Sequence, residues 1–476
     1  MLSSGALAIS LLAAGIGYAA SPDSATSPIV ERVGDTVYLQ IEANSFNSLT
    51  PKQQALAYWL SQAAIAISPI IYDQQSRFGL RQKALLEAVV ANNSNVDPAV
   101  YSKILDYTKL FWTHRGNHNS YTAQKFLPTF TPEELNRALT AVGRADLLKE
   151  EASLQQSLFD PGFEPSMTTK SPKNGLDILQ ASSNNFYLGV TLEDLKGFTE
   201  KYALNSRLVK QDGKLIEQVY RAGTPDGKVA PGLYAEYLKK ANSYLAKARS
   251  CAEPEQAKVI GDLIHYYQTG EFQDWLQFDR SWVRNNSPVD FVNGFIGVYR
   301  DARGVKATSR SVVSITDAKL SGAMSKIAGN AQYFEDRAPW PSEYKKQGVA
   351  PPIALAVESV AETGYIRINI TGLNLPDENE ISEKIGTKNF FLMSNARALD
   401  GNRGTSVFEE FAPSPAEIVR HQKYGETARE LVVSLHEVIG HASGRVSPRI
   451  TQSPQVHLKE YYSALEEARA NRCLGC

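Results

Sequence analysis

A chain of 476 residues with 43% hydrophobic and 21% charged content has the composition of an ordinary folded protein, with room for roughly two to four domains. Its net charge of −1 and its lack of any dense Lys/Arg run exclude an electrostatic nucleic-acid surface. Three cysteines, Cys251, Cys473 and Cys476, are too few and too badly spaced for a disulfide framework, and the C-x-x-C of the last two reads as a feature of the tail.

In chain order, Leu2 to Ala20 is uncharged and small-to-apolar before polarity returns at Ser21. That pattern predicts a secretory signal over residues 1–20, hence a periplasmic or secreted protein, with no membrane association after its removal. No later segment reads as a bilayer span. Thr50-Pro51 opens a helical run in which Leu56, Trp59, Leu60 and Ala63 share a face, and Thr131-Pro132-Glu133-Glu134 is a capping box with Pro at the first helical position. Further helical patterns cover about 191 to 203, 232 to 249 and 254 to 268. Strand patterns fall at VYLQIEA (37–43), SVVSIT (311–316), IALAVESV (353–360) and GYIRINI (364–370).

Two histidine pairs stand out. His114 and His118 are four apart, but Gly116 and Asn117 interrupt any helix and no third ligand is evident, so they read as structural. His436 and His441, in HEVIGH, are five apart. A helical residue turns about 100°, so positions five apart diverge by about 140° and share an ion only if the turn is widened by a π-bulge. Gly440 permits that. The helix is read as starting near Glu426, apolar through Leu431-Val432-Val433, buried, and stopping at Ser443-Gly444. A buried Glu437 between two histidines is costly without a partner, and a divalent cation is the simplest one. In the helical stretch 458–471, Tyr461, Leu465 and Ala468 form an apolar stripe, and Glu466 or Glu467 could return a carboxylate to the histidines. Two His and one Glu with an open position is a catalytic zinc pattern. Read as helix decoration, Glu466 and Arg469 are only an i,i+3 pair.

HEVIGHASG followed by EEARAN resembles the paired signature, H-E-x-x-G-H and E-E-x-R-A-[DE], of the dipeptidyl peptidase III family of zinc metallopeptidases. NGFIGVYRDARG (293–304), NAQYFEDRAPWP (330–341) and GYIRINITGLNLPDENEI (364–381) resemble further segments of that family. The resemblance implies a two-lobed α+β fold: a lower lobe built on a small β-barrel with helices, and an upper, mostly helical lobe carrying zinc. The boundaries it implies are 21–320 and 352–400 for the lower lobe, 321–351 for an upper-lobe segment and 401–476 for the catalytic lobe. Family members continue beyond that point, so the resemblance implies a lobe cut short.

Carried over residue by residue, the resemblance implies one Zn2+ per chain held by His436, His441 and Glu467, with Glu437 as general base and Glu466 orienting a ligand. Tyr299, Asn374 and Asp377 would bind substrate, with peptides lying as an added strand along the barrel edge near Ile368 to Asn374. The implied activity is release of dipeptides from the N-termini of short peptides. Three departures accompany the matches. Gly297 stands where the family has a Glu, Asp377 where it has an Asn, and Asn471 where an acid closes the second signature and orients a histidine. A second expectation is therefore a catalytically impaired homologue or a non-catalytic peptide-binding protein. A zinc endopeptidase is a more distant one. No oligomeric state is implied.

Overall fold

The computed structural model describes residues 29–149, 152–348, 353–365, 372–399, 410–441, 443–450 and 454–472. The expected signal at 1–20, the Ile368 region and the two C-terminal cysteines lie outside the described residues.

After a two-stranded ribbon, β1 (Ile29–Val33) and β2 (Thr36–Leu39), helix α1 (Pro51–Gln75) begins where the Thr50 hydroxyl accepts from Gln53 N–H and the Gln53 side chain answers the cap's own N–H. This reciprocal bonding satisfies donors that a helix start leaves orphaned. Helix α1 is long and apolar enough to cross a membrane, contrary to the sequence reading. Most of its apolar residues face protein, packing on helix α6 (Ala235–Cys251) and on the central sheet, while Tyr58 and Ile65 are exposed. Helices α2 (Gly79–Ala91), α3 (Pro98–His114), α4 (Pro132–Ala141) and α5 (Ala152–Phe159) build a second core around Phe78, Phe111 and Phe130. The predicted capping box at Thr131 and Glu134 opens α4.

The expected helix at 191–203 is instead a turn. Asp194 accepts from Thr191 N–H and is held by Lys210, and Gly197 at φ +76° ends the turn before a second one can form. It leads into a small sheet of β3 (Tyr187–Leu188), β4 (Ser206–Gln211) and β5 (Lys214–Val219). The predicted helices at 232–249 and 254–268 form as α6 and α7 (Pro254–Thr269), followed by α8 (Phe272–Arg284).

The central sheet is a half-barrel of five strands: β6 (Val289–Ile296), β7 (Thr308–Thr316), β8 (Ile353–Gly364), β9 (Gly372–Leu375) and β10 (Lys388–Leu392). Their order is β6-β7-β8-β10-β9; β8 and β10 run parallel and the other pairs antiparallel. Across its concave side Lys388 Nζ meets Asp290 Oδ2 at 2.7 Å, both side chains wholly buried, with the ammonium 4.6 Å from the centre of the Trp282 ring. The partners belong to strands separated by two others, so the pair fixes the curvature. Beyond one end of the sheet, helices α9 (Ala318–Ala328) and α10 (Ala331–Arg337) share a separate core with Phe391, Met393, Val438 and Ile439. That core carries the HEVIGH segment. A short helix, α11 (Asn379–Lys384), joins β9 to β10. The mixed, two-lobed architecture expected from the sequence is thus present.

Candidate metal centre and peptide cleft

Helix α12 (Pro415–Leu435) starts well before the expected Glu426, capped by Ser414 and with Pro at its first position. It is less buried than expected: Leu431 is 48% and Val432 51% exposed, and packing rests on Ser434, Val438 and Ile439 beyond them. At His436–Gly440 the backbone widens into a π turn, in which His441 N–H donates to His436 O at 3.0 Å. This is the irregularity the five-residue spacing demanded. It leaves the two imidazoles 4.6 Å apart and nearly perpendicular. Gly440 serves a further purpose, because a Cβ there would lie 2.6 Å from Ala470 O. Two backbones touch at that point.

Ala470 belongs to helix α13 (Tyr462–Arg472), and the expected single helix over 458–471 is broken before it by Lys459 at φ +49°. The stripe of Tyr461, Leu465 and Ala468 does not seat this helix: Tyr461 is 66% and Leu465 52% exposed. Arg469 seats it instead. Its guanidinium donates to the carbonyls of Gly440 (3.1 Å), His441 (3.2 Å) and Ser443 (2.5 Å), oxygens that the end of a helix leaves without intrahelical donors. It also forks onto Glu466, with Nε to Oε2 at 2.8 Å. The reading of Glu466 and Arg469 as surface decoration is therefore corrected. Arg469 stands inside the EEARAN motif, but i,i+3 spacing alone gives no sign of its carbonyl contacts.

The donors converge. Glu467 Oε2 lies 3.2 Å from His436 Nε2 and 3.9 Å from His441 Nε2, and the three ligand atoms fall within 4.8 Å of one another. Tetrahedral zinc with bonds of about 2.0–2.1 Å separates its donors by about 3.4 Å, so the set fits the ion with small adjustments. The far side of each ring is held as well. His441 Nδ1–H donates to Glu466 Oε1 at 2.8 Å and His436 Nδ1–H to Asn471 Oδ1 at 3.1 Å, which leaves both Nε2 lone pairs directed at the carboxylate. Burial pushes the Glu466 carboxyl up, but His441 and Arg469 outweigh it and hold the group at about 2. The Glu437 side chain lies outside the described residues.

Sequence reasoning missed Glu335. This carboxylate, 1% exposed on α10, accepts Gly444 N–H through both oxygens at 3.0 Å and Lys346 N–H at 2.8 Å. It ties the turn after the second histidine to the loop ahead of β8. Nothing in its spacing marked it.

His436, His441, Glu466, Glu467, Arg469 and Asn471 line a cleft of about 1850 Å3. Tyr299, Asn374 and Asp377 line the same cleft, with β9 packed beside the π turn, so the structure brings the expected substrate residues into one cavity with the histidines and Glu467. Asn374 lies on β9, the sheet's edge strand, opposite Asn389 of β10. Asp377 reaches the cleft water, yet desolvation by the protein around it pushes its carboxyl up to about 7, with Glu378 adding to the shift and Arg310 opposing it. Gly297 adopts φ +73° against the Tyr299 ring.

His114 and His118 are elsewhere and structural, as read. His118 Nε2 bonds Glu164 O at 2.9 Å and His114 Nδ1 bonds Ser120 Oγ at 3.0 Å. Burial lowers both imidazoles to about 4, so they stay neutral in these contacts.

Known proteins agree with this construction. The sequence profile of peptidase family M49 matches residues 105–457. Dipeptidyl peptidase 3 of Nematostella vectensis is 24% identical over 460 residues, covering 84% of this chain and 61% of the relative. The Dictyostelium discoideum protein of the same name is 25% identical over 444 residues, covering 86% and 61%. The chain thus spans about three-fifths of the length of the curated relatives it matches. Among solved structures, DPP III from Caldithrix abyssi superposes with a TM-score of 0.63 at 20% identity, covering 89% of this chain and 70% of that one. Dipeptidyl-peptidase III from Corallococcus sp. strain EGB gives 0.66 at 16%, covering 89% and 69%. The family match, extending over most of the chain and across the histidine motif, shows that this protein belongs to peptidase family M49.

Proposed function

We propose that this chain is a zinc-dependent exopeptidase that releases dipeptides from the N-termini of short peptides, in the periplasm or outside the cell. The observation that carries the reading is the convergence of His436, His441 and Glu467 in a cleft that is also lined by an edge strand of the central sheet. Bound zinc would supply a Lewis acid that polarises a peptide carbonyl and brings the pKa of an adjacent water to about 7.

The remaining work falls to the chain itself. Edge strand β9 offers main-chain groups to an extended peptide, a sequence-tolerant way of binding. Asn374 and ionised Asp377 hold its amino end, and Tyr299 borders the same space. Glu437, by its place between the histidines, takes the proton from the attacking water and returns it to the leaving amine. Glu466 and Asn471 keep both imidazoles in the tautomer that presents Nε2.

A second reading, impaired catalysis with peptide binding retained, is favoured by the exposed Tyr461 and Leu465 on the segment that brings Glu467. Mass spectrometry of an unblocked octapeptide incubated with the zinc-loaded chain separates the two. Stepwise loss of dipeptides, abolished in Glu437→Gln, is the expected result. Binding without cleavage supports the second reading, and equal cleavage of N-blocked peptides would mean an endopeptidase.

A further inference from the structure

The peptide cleft contains a cation that the proposed chemistry does not use. Arg310 lies on β7, only 9% exposed, and lines the cleft together with Tyr365 and Asp377. Among the described residues its side chain makes no hydrogen bond and no ion pair; its recorded contacts are the Tyr365 ring, 6.0 Å away, and the longer-range field of Asp377. Other buried cations of the lower lobe each have a partner for at least part of their donor set: Lys388 meets Asp290, Lys306 meets Glu200, and Arg300 donates through one nitrogen to Ser120 O at 2.7 Å.

A guanidinium withdrawn from water is costly unless it is paired, and among the described residues only the Tyr365 ring and the field of Asp377 offset that cost. Both cross-strand neighbours of Arg310 are glycines, Gly294 on β6 and Gly364 on β8, so neither supplies a side chain that could pair with it. At Gly294 the lack of a side chain is required, because a Cβ would lie 2.6 Å from the Trp275 ring. Five N–H donors in a planar fork, held in a cleft wall, match one ligand group best: a carboxylate.

We propose that Arg310 is an anion anchor in the peptide cleft, selecting peptides that carry a carboxylate near the bound amino end. This rests on the reading of the cleft as a peptide site. The carboxylate can come from an acidic side chain or from the free C-terminus of a very short peptide. Asp377, within the electrostatic reach of the anchor, gives the cleft a second, opposite charge when ionised, so a ligand bearing an ammonium and a carboxylate is matched at two points.

The test is calorimetric binding to the full chain of tetrapeptides carrying Glu or Gln at each of the first three positions, each with a free and an amidated C-terminus. One charge-assisted contact is expected to favour the Glu form at one position by roughly tenfold or more, and raised salt should shrink the preference. If the preference follows the free C-terminus instead, that is the source of the carboxylate. Arg310→Met should bring the ratio close to one, while Arg310→Lys should keep part of it. Equal binding of Glu, Gln, free and amidated forms by the unmodified chain overturns the anchor, as does a ratio preserved in a folded Arg310→Met. Failure to bind any of the peptides overturns the peptide-site reading and the anchor with it.

Discussion

Asn471 is the residue at which this site departs most visibly from its family signature, and its contact shows what the departure changes. A neutral amide oxygen, not a carboxylate, accepts the His436 Nδ1–H at 3.1 Å, whereas His441 has the charged Glu466 behind it at 2.8 Å. The two imidazoles are therefore unequally supported, because a carboxylate raises the basicity of a ligating ring more than an amide does. Asn471→Asp is expected to tighten zinc binding by up to about tenfold, and Glu466→Gln to weaken it by about 10–100-fold. Competition with a chelating dye measures both. Glu466→Gln should be the more severe change, since it also disturbs the fork to Arg469. Unchanged affinity in both variants would mean that the polar contacts behind the rings contribute nothing to ligation.

At the scale of elements, the candidate metal site depends on the π turn and a helix touching at one place. Gly440 of the π turn meets Ala470 of α13, and Arg469 ties the helix to three carbonyls around that point. Gly440→Ala would force the backbones apart, and with them Glu467 from the histidines. Zinc affinity is expected to fall by about tenfold or more while far-UV circular dichroism stays close to that of the parent; a retained affinity would show that α13 can slide to accommodate the methyl group. Here the sequence was informative because geometry left it little freedom. Five-residue spacing could bring His436 and His441 together only through a widened turn, and that turn is what forms. The apolar letters of Leu431, Val432, Tyr461 and Leu465 were less informative. Periodicity says which residues share a face, but whether another element covers that face is decided by tertiary structure. Glu335 and Arg469 escaped for a related reason, since both act on backbone groups that have no signature of their own.

Across the whole molecule, the cleft brings together walls supported by different cores. The floor rests on the large core of α1, α6 to α8 and the half-barrel, and the metal wall on the smaller one around Val438 and Ile439. Charge on the floor gives peptide binding a definite pH window. Asp377 is protonated below about 7 and ionises as pH rises through that value. A peptide's α-amino group loses its charge above about 7.7–8.0. Affinity for an unblocked peptide should therefore peak between the two, and Asp377→Asn should remove the acid limb, as titration calorimetry across about pH 5.5–9 can show. An acid limb that survives the substitution would assign the effect to another group. Strands β7 and β8 and the α6 and α7 helices were readable from their patterns, whereas β6 and β10 were not read, and neither was the placement of Asp377 and Arg310 in one cleft. They are distant in sequence, and only the curvature of the sheet brings them into one cavity.

That curvature is fixed by Lys388 and Asp290, a wholly buried pair remote from the histidines. The half-barrel's curvature is thus set by groups other than the proposed metal ligands. Stripping the metal with a chelator should abolish cleavage yet leave the floor intact, so that the metal-free chain still captures peptides with close to its original affinity. If capture disappears together with the metal, the two walls form a single cooperative unit. If it persists, the metal-free protein is a peptide receptor that becomes an enzyme only when zinc is supplied, and its activity in a given setting is governed by the supply of the ion.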